Sequence, residues 1–379
     1  MKKVVKVGYN QKMEEVFDVK SQMNKITLFY ENEIFNGVIE MVYDDGSLFA
    51  AGEVLNGLRE GEWRYFYKTG ELKVKEHYSS GLRTRKYIEY YKNGNIETSG
   101  EFEMNLKTGI WEWYHENGAL RMTGEYYLDK STGNYKEYYL IGKMKCDLSY
   151  LNDEKHGKYT EYYENGNVKV KQNFIQGVAT GEAEYYYESG ILELIGMYIK
   201  KKKNGLWILN YENGIKHRED NYNNGIREGE AKEYYRSGKL KAKSNFINDK
   251  QEGSTCFYYE TGELEQKETY RNGLLEGKSL KYTKAEELEM ETEYKNGMKN
   301  GVQVFYIEKN VPFYYREYKN NKLHGRYVDY YENGKIKFEG NTINDQLEGE
   351  ALLYLPSGLL EAKMQYENDE VTDIDYINY

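Results

Sequence analysis

The sequence contains two prolines, two cysteines, five histidines and no long apolar run. With proline confined to Pro312 and Pro356, almost every residue keeps a backbone N–H for a hydrogen-bonded ladder. The N-terminal MKKVVKVGYNQKMEEVF opens on lysines but has no apolar segment of the kind a signal peptide needs. Neither export nor a membrane span is expected, and the cytoplasm is the expected compartment. A basic stripe is missing too: the formal net charge is −10, with lysines and acids interleaved. Nucleic-acid binding is therefore not expected. Lys200 to Lys203 is the one basic run, and it reads as a solvated turn. No HExxH, CxxC or GxSxG pattern occurs. GLLEGKS at 273–279 falls one residue short of a phosphate-cradling loop, and no helix pattern follows it.

What the chain does have is glycine and tyrosine, 37 and 43 of them, in strict register. Stepping by twenty-four from Gly46 meets a glycine in each unit to Gly262; Glu286 and Asn310 then interrupt the series, and Gly334 and Gly358 resume it. A second glycine lies nine residues earlier in each unit, from Gly37 to Gly349, with Arg85 as the one exception. Fourteen units thus fill 37–372 without insertion or deletion. Just before the turn glycine stands a pair, usually Tyr-Tyr, as in Tyr90-Tyr91 and Tyr162-Tyr163. Two places after it comes an aliphatic residue, eight places after it an aromatic, and eleven places after it Gly, Asn or Asp.

These spacings have a direct physical reading. Short runs rich in Tyr, Val, Ile and Phe, bounded by Gly, Asn and Asp, are strands joined by turns. The ENG and KNG triplets supply the positive φ of tight hairpins. Even spacing places the aliphatic and aromatic residues on one face of a strand. The expected fold is all-β, an elongated tandem array of β-hairpins in an antiparallel meander. Its stability comes from stacked aromatic ladders, roughly 0.2–1 kcal/mol per cross-strand pair, rather than from a thick core. At about 4.8 Å per strand such an array spans roughly 130 Å. Cys146 and Cys256 then lie too far apart to bridge, so both are expected as free thiols, as in a reducing compartment. The repeat also argues against catalysis. Its carboxylates recur unit after unit, whereas an active site needs a unique constellation. His156 and His324 are seven units apart and cannot share a metal. No catalytic, cofactor or metal residue is expected.

The tryptophans are the exception to be weighed. Trp63, Trp111 and Trp207 share one slot, two residues after the opening glycine, and Trp113 lies two further on. Sheet packing accounts for them. The alternative is an aromatic stripe offered to a protein partner, since Trp and Tyr dominate interface hot spots. Two stretches depart from the repeat. One has Asn210 in a tyrosine slot and Lys216 in the aliphatic slot; the other spans 277–324 with Glu286, Asn310 and Pro312. Drift in a tolerant array or a partner's demands would each produce them.

The pattern G-x-[WYA]-x-x-Y-Y-x-x-G-x-[LI], as in GKYTEYYENGNVKVKQNFIQG from Gly157 and GRYVDYYENGKIKFEG from Gly325, resembles the MORN-repeat variant of bacterial YwqK-type antitoxin proteins. The resemblance covers 37–372. It implies a hairpin meander, no enzymatic activity, no cofactor and a protein partner. In an acidic chain that partner is expected to be a basic toxin, and the role that of an antitoxin or immunity protein; the alternative is a general interaction scaffold. Lipid association is not carried over, because the chain is acidic. Residues 1–36 are expected to form a degenerate capping unit with Tyr30 in the aromatic slot, and 373–379 a closing strand or acidic tail.

Overall fold

A computed structural model describes residues 4–8, 29–30 and 33–378. Every regular element among them is a strand. The chain divides into two compact units, Met1–Gly190 and Ile191–Tyr379. In the first, an antiparallel meander runs from Gly37–Val42 to Val178–Tyr186, each strand pairing with the next. Val4–Gly8 lies parallel beside Gly37–Val42, with Val4 opposite Val38. In the second, a meander runs from Leu192–Ile199 to Glu370–Tyr376. The fold is an all-β tandem array of hairpins. Most of the capping unit expected at 1–36 lies outside the described residues.

Two kinds of turn alternate along the chain. At the eleventh slot two residues close the hairpin with positive φ, such as Met104 (50°) and Asn105 (72°). This is the type I′ geometry whose twist matches that of the flanking strands. At the other end the Tyr91 N–H donates to Asn95 O at 2.8 Å and the Gly94 N–H to Tyr91 O at 2.9 Å, with Gly94 at φ 87°. Glu286 keeps this turn without glycine: its φ is 58°, and its N–H donates to Thr283 O at 3.0 Å. Asn310 does not. There the strand Met298–Glu308 runs on until Glu308 faces Val311, and only Lys309 and Asn310 close the hairpin.

The second glycine has a job that its spacing alone does not show. It sits inside a strand. In Lys130–Tyr138, Gly124 faces Tyr135 but the next residue, Glu125, faces Thr132. The register slips at Gly133, which has φ 62°. This is a β-bulge, where glycine takes the left-handed conformation and the strand gains twist. The Glu125 carboxylate folds over it and accepts the Asn134 N–H at 3.3 Å, leaving no room for a Cβ on Gly133. Glu293 and Glu317 cap the bulges at Gly301 and Gly325 in the same way. Arg85 adopts the same conformation (φ 61°) without glycine, at a cost of roughly 1–2 kcal/mol.

Side chains stitch each repeat to the next. The second tyrosine of each pair donates its hydroxyl to the carbonyl of the first tyrosine one repeat on: Tyr91 to Tyr114 at 2.8 Å, Tyr163 to Tyr186 at 2.7 Å, Tyr235 to Tyr258 at 2.7 Å. At the opposite margin the Asn or Asp of the I′ turn accepts a backbone N–H from the preceding repeat. Asn105 takes that of Arg83, and Asp249 that of Arg227, both at 2.7 Å. A tyrosine pair with NG or ND at fixed spacing is therefore a hydrogen-bonding device as much as a strand signal.

Candidate binding surfaces

One face of each meander carries a row of residues from its successive strands. In the first unit it reads Gly52, Trp63, Glu76, Tyr87, Gly100, Trp111, Gly124, Tyr135, with neighbours such as Trp63 and Glu76, or Trp111 and Gly124, directly opposite. Large and small residues alternate because they share space. A Cβ on Gly100 would come within 2.2 Å of the Trp111 indole; Gly52 meets Trp63 at 2.3 Å and Gly196 meets Trp207 at 2.1 Å. Each indole lies flat on the glycine backbone of the strand before it.

Aromatic edges and cationic stems enclose the rest of the ring. Phe102 meets Trp111 edge-on at 5.0 Å, and Lys107 Nζ lies 4.5 Å from the indole centroid. Lys203 covers Trp207 at 4.3 Å and the Arg59 guanidinium covers Trp63 at 4.5 Å. Long cationic side chains bury their stems on apolar surface in this way. Trp63, Trp111 and Trp207 are consequently 0–2% exposed. The aromatic stripe offered as the alternative is not exposed: these three indoles are packing residues with no free surface for a partner. Trp113, half-buried, leans on Trp111 at 6.1 Å and belongs to the same cluster. Lys203 also departs from the expected solvated turn. Lys200 and Lys201 make that turn, while burial holds the Lys203 ammonium below the usual lysine range.

The corresponding row of the second unit changes character after Trp207. It reads Asp220, Ala231, Ser244, Thr255, Glu268, Ser279, Thr292, Gln303, with Asp220 opposite Ala231 and Thr292 opposite Gln303. Hydrogen bonds replace ring contacts. Gln303 donates to Thr292 Oγ1 at 2.9 Å, and the Glu268 carboxylate, buried, accepts from Gln266 at 2.7 Å and Tyr270 at 2.6 Å. Where three small residues follow one another, at Ala231, Ser244 and Thr255, an open cavity of about 140 Å³ remains, walled by Arg218, Arg227, Phe246 and Phe257. Arg227 stacks on Phe246 at 3.6 Å and reaches Asp220 at 2.5 Å, while its Nε finds no hydrogen-bond partner among the described residues. Sequence reading passed over this row. The signal was present in the chain's own repeats: a glycine stands eleven residues before Trp63, Trp111 and Trp207, and aspartate and serine stand there before Ala231 and Thr255.

A second surface lies at the hairpin ends of the first unit. Tyr127, Leu151 and Ile175 occupy one slot of three successive repeats and are 65%, 46% and 55% exposed. Two strands separate each from the next, about 10 Å. The remaining candidates have structural settings. Glu76, buried, accepts the Tyr78 hydroxyl at 2.7 Å and pairs with Arg83 at 3.0 Å. Cys146 and Cys256 are free thiols, and burial, with the nearby Glu137 carboxylate, pushes the Cys146 thiol up to about 11. The GLLEGKS segment forms the short strands Leu274–Leu275 and Gly277–Tyr282. Among the described residues no group of His, Cys, Asp and Glu could hold a metal ion. No helix among them is long and apolar enough to cross a membrane.

Seven segments match the MORN repeat variant family: 59–80, 107–127, 155–176, 179–200, 227–248, 251–272 and 323–344. The chain carries the MORN repeat variant. Matched repeats lie in both units, and one of them, 227–248, contains both Ala231 and Ser244 of the cavity. No curated protein matches the chain. Among solved structures, a crystal structure of TcdB2-TccC3-Cdc42 is 11% identical, with 89% of this chain and 19% of that chain covered and a TM-score of 0.16. A Photorhabdus luminescens Tc holotoxin pore is 12% identical, with 88% and 18% covered and a TM-score of 0.15. The MORN-repeat chain thus spans about a fifth of the length of those chains, and superpositions this poor carry no argument.

Proposed function

We propose that this MORN-repeat protein is a non-catalytic scaffold that binds another protein. The observation that carries the proposal is the column of Tyr127, Leu151 and Ile175. Three bulky apolar side chains in one slot of consecutive repeats form a linear exposed strip, and contiguous exposed apolar surface marks interaction sites. Within this proposal the partner is a basic protein, matched to a chain of net charge −10. The finer reading is antitoxin or immunity function: the array holds a toxin and blocks its active surface in the cytoplasm, where Cys146 and Cys256 stay reduced. What supports it is the likeness of the Tyr-Tyr-x-x-Gly units to the YwqK-type repeat.

The test is to tag the chain at its native level, recover it at moderate salt, and compare wild type with Leu151→Lys/Ile175→Lys. One stoichiometric partner, lost from the double variant, establishes the scaffold reading. If that partner is toxic alone and tolerated with this chain, the antitoxin reading stands. A partner retained in full by the double variant removes the strip from the proposal. If no stoichiometric partner comes with the wild type, the protein-binding reading falls.

A further inference from the structure

The row of small residues in the second unit has a missing member. In the slot of Ala231 and Thr255, other repeats place Trp63, Tyr87, Trp111, Tyr135, Tyr159, Trp207 and Tyr327. The elements that surround a ring in that slot are nevertheless still present. Relative to Ala231, Phe246 stands where Tyr126 meets Trp111 edge-on at 6.5 Å, and Arg227 in the cationic position from which Lys107 and Lys203 cover their indoles. Between them is the cavity of about 140 Å³, floored by Ala231, Ser244 and Thr255. Resting on the protein-binding reading above, we infer that this cavity receives a tyrosine side chain of the partner protein, which completes the aromatic row from outside.

Two observations select the occupant. The chain's own filled slots show that a ring is what this frame encloses, and tyrosine fits the slot even beside large neighbours. Tyr159 faces Gln172 and Tyr327 faces Arg316. Indole, by contrast, demands glycine on the strand before it, and here that position is Asp220 or Ser244. The Arg227 guanidinium, which walls the cavity and covers Phe246 at 3.6 Å, offers an arriving ring a cationic face. The edge-on Phe246 contact adds to it.

The experiment titrates the full chain with N-acetyl-L-tyrosinamide and follows backbone amide shifts by NMR. Saturable binding with a dissociation constant on the order of 1 mM, shifting the amides of Ala231 and Thr255, is the expected result. Ala231→Tyr fills the slot with the residue other repeats carry there, and should weaken binding at least about tenfold with the chain still folded. Thr255→Tyr gives a second block should the first misfold. No saturable binding by the wild type, or equal binding by a folded Ala231→Tyr chain, overturns the inference. The partner recovered as described above provides the other arm. A partner held as tightly by a folded Ala231→Tyr as by wild type also overturns the inference and leaves the scaffold reading intact. A partner lost from Ala231→Tyr but kept by Thr69→Ser, an exposed turn position that does not line the cavity, supports it.

Discussion

The two units use the same hairpin frame around different interiors. Between Gly52 and Tyr135 the central row is rings and glycine with Glu76 as the one exception; between Asp220 and Gln303 it is alanine, hydroxyls, amides and carboxylates. The turns do not register the change. I′ pairs recur at Met104-Asn105 and at Asn248-Asp249, and the tyrosine stitch spans 2.7 Å at both Tyr163 and Tyr235. The lesson concerns division of labour. Bulges, turns and inter-repeat hydrogen bonds define the frame, while the row between them is free to be packed tightly or left open. A row that need not be aromatic can become a recognition surface.

The sharpest way to break this comparison is to remove the ring. Trp111→Ala deletes a fully buried indole and should cost about 3–5 kcal/mol, read by urea unfolding. Thr255→Ala, in the equivalent slot of the second unit, should cost about 1 kcal/mol. Equal costs would mean that the rows do not differ energetically. Gly100→Ala should destabilise by about 1–3 kcal/mol or more, because its Cβ collides with the indole. In a Trp111→Ala background most of that cost should vanish, a coupling that a double-mutant cycle measures.

Alkali tests the two units together. Burial, reinforced by a carboxylate, pushes Tyr135 up to about 12 in the first unit, where the neighbour is Glu137. It does the same to Tyr234 beside Glu219, Tyr315 beside Glu317 and Tyr354 beside Glu339 in the second. In the unfolded chain these phenols ionise near their ordinary value of about 10. Between there and about 12 the unfolded state therefore binds fewer protons than the folded one, and stability falls as pH rises. Below about 10 the phenols contribute no slope. Burial also raises Tyr65, Tyr87 and Tyr159 in the first unit and Tyr270 in the second, so unfolding midpoints measured from pH 8 to 12 should hold level and then drop in both units.

The shared frame predicts equal effects. Tyr163→Phe and Tyr235→Phe each remove one hydroxyl donated to a backbone carbonyl, and each should cost about 1 kcal/mol. A marked inequality would show that the stitch depends on the row beneath it. Gly94→Ala isolates the turn itself. A Cβ at Gly94 meets nothing within 4 Å, so the cost is the left-handed conformation alone, roughly 1–2 kcal/mol.

Reading the chain without its structure recovered the period, the strands, their facing and both turn positions, because backbone sterics write these locally as glycine, asparagine and alternation. The bulge was not read. A glycine inside a strand and a glycine at a turn look alike in one dimension, and only the register slip at Gly133 tells them apart. For the tryptophans the spacing left two readings open, sheet packing and an exposed stripe. The burial of Trp111 depends on Lys107 of its own strand and on Phe102 and Gly100 of the strand before, and burial of this kind is a property of the assembled sheet. The cavity was invisible for the same reason. It is an absence at Ala231, and an absence shows only against the filled slots of other repeats.

The smallest expected effect is also the one most specific to the frame. Glu286 holds the turn conformation at φ 58° with an exposed side chain, and its N–H still donates to Thr283 O. Glu286→Gly removes the Cβ strain of that conformation, offset in part by the extra freedom glycine gives the unfolded chain. The net gain should be roughly 0.5 kcal/mol, a small rise in the unfolding midpoint of the second unit. If the interruption of the glycine series at 286 were instead a requirement of a partner, the stability gain would come with weaker retention of that partner. If it is drift, stability rises and retention is unchanged, and the departures from the repeat that matter for recognition are those in the central row.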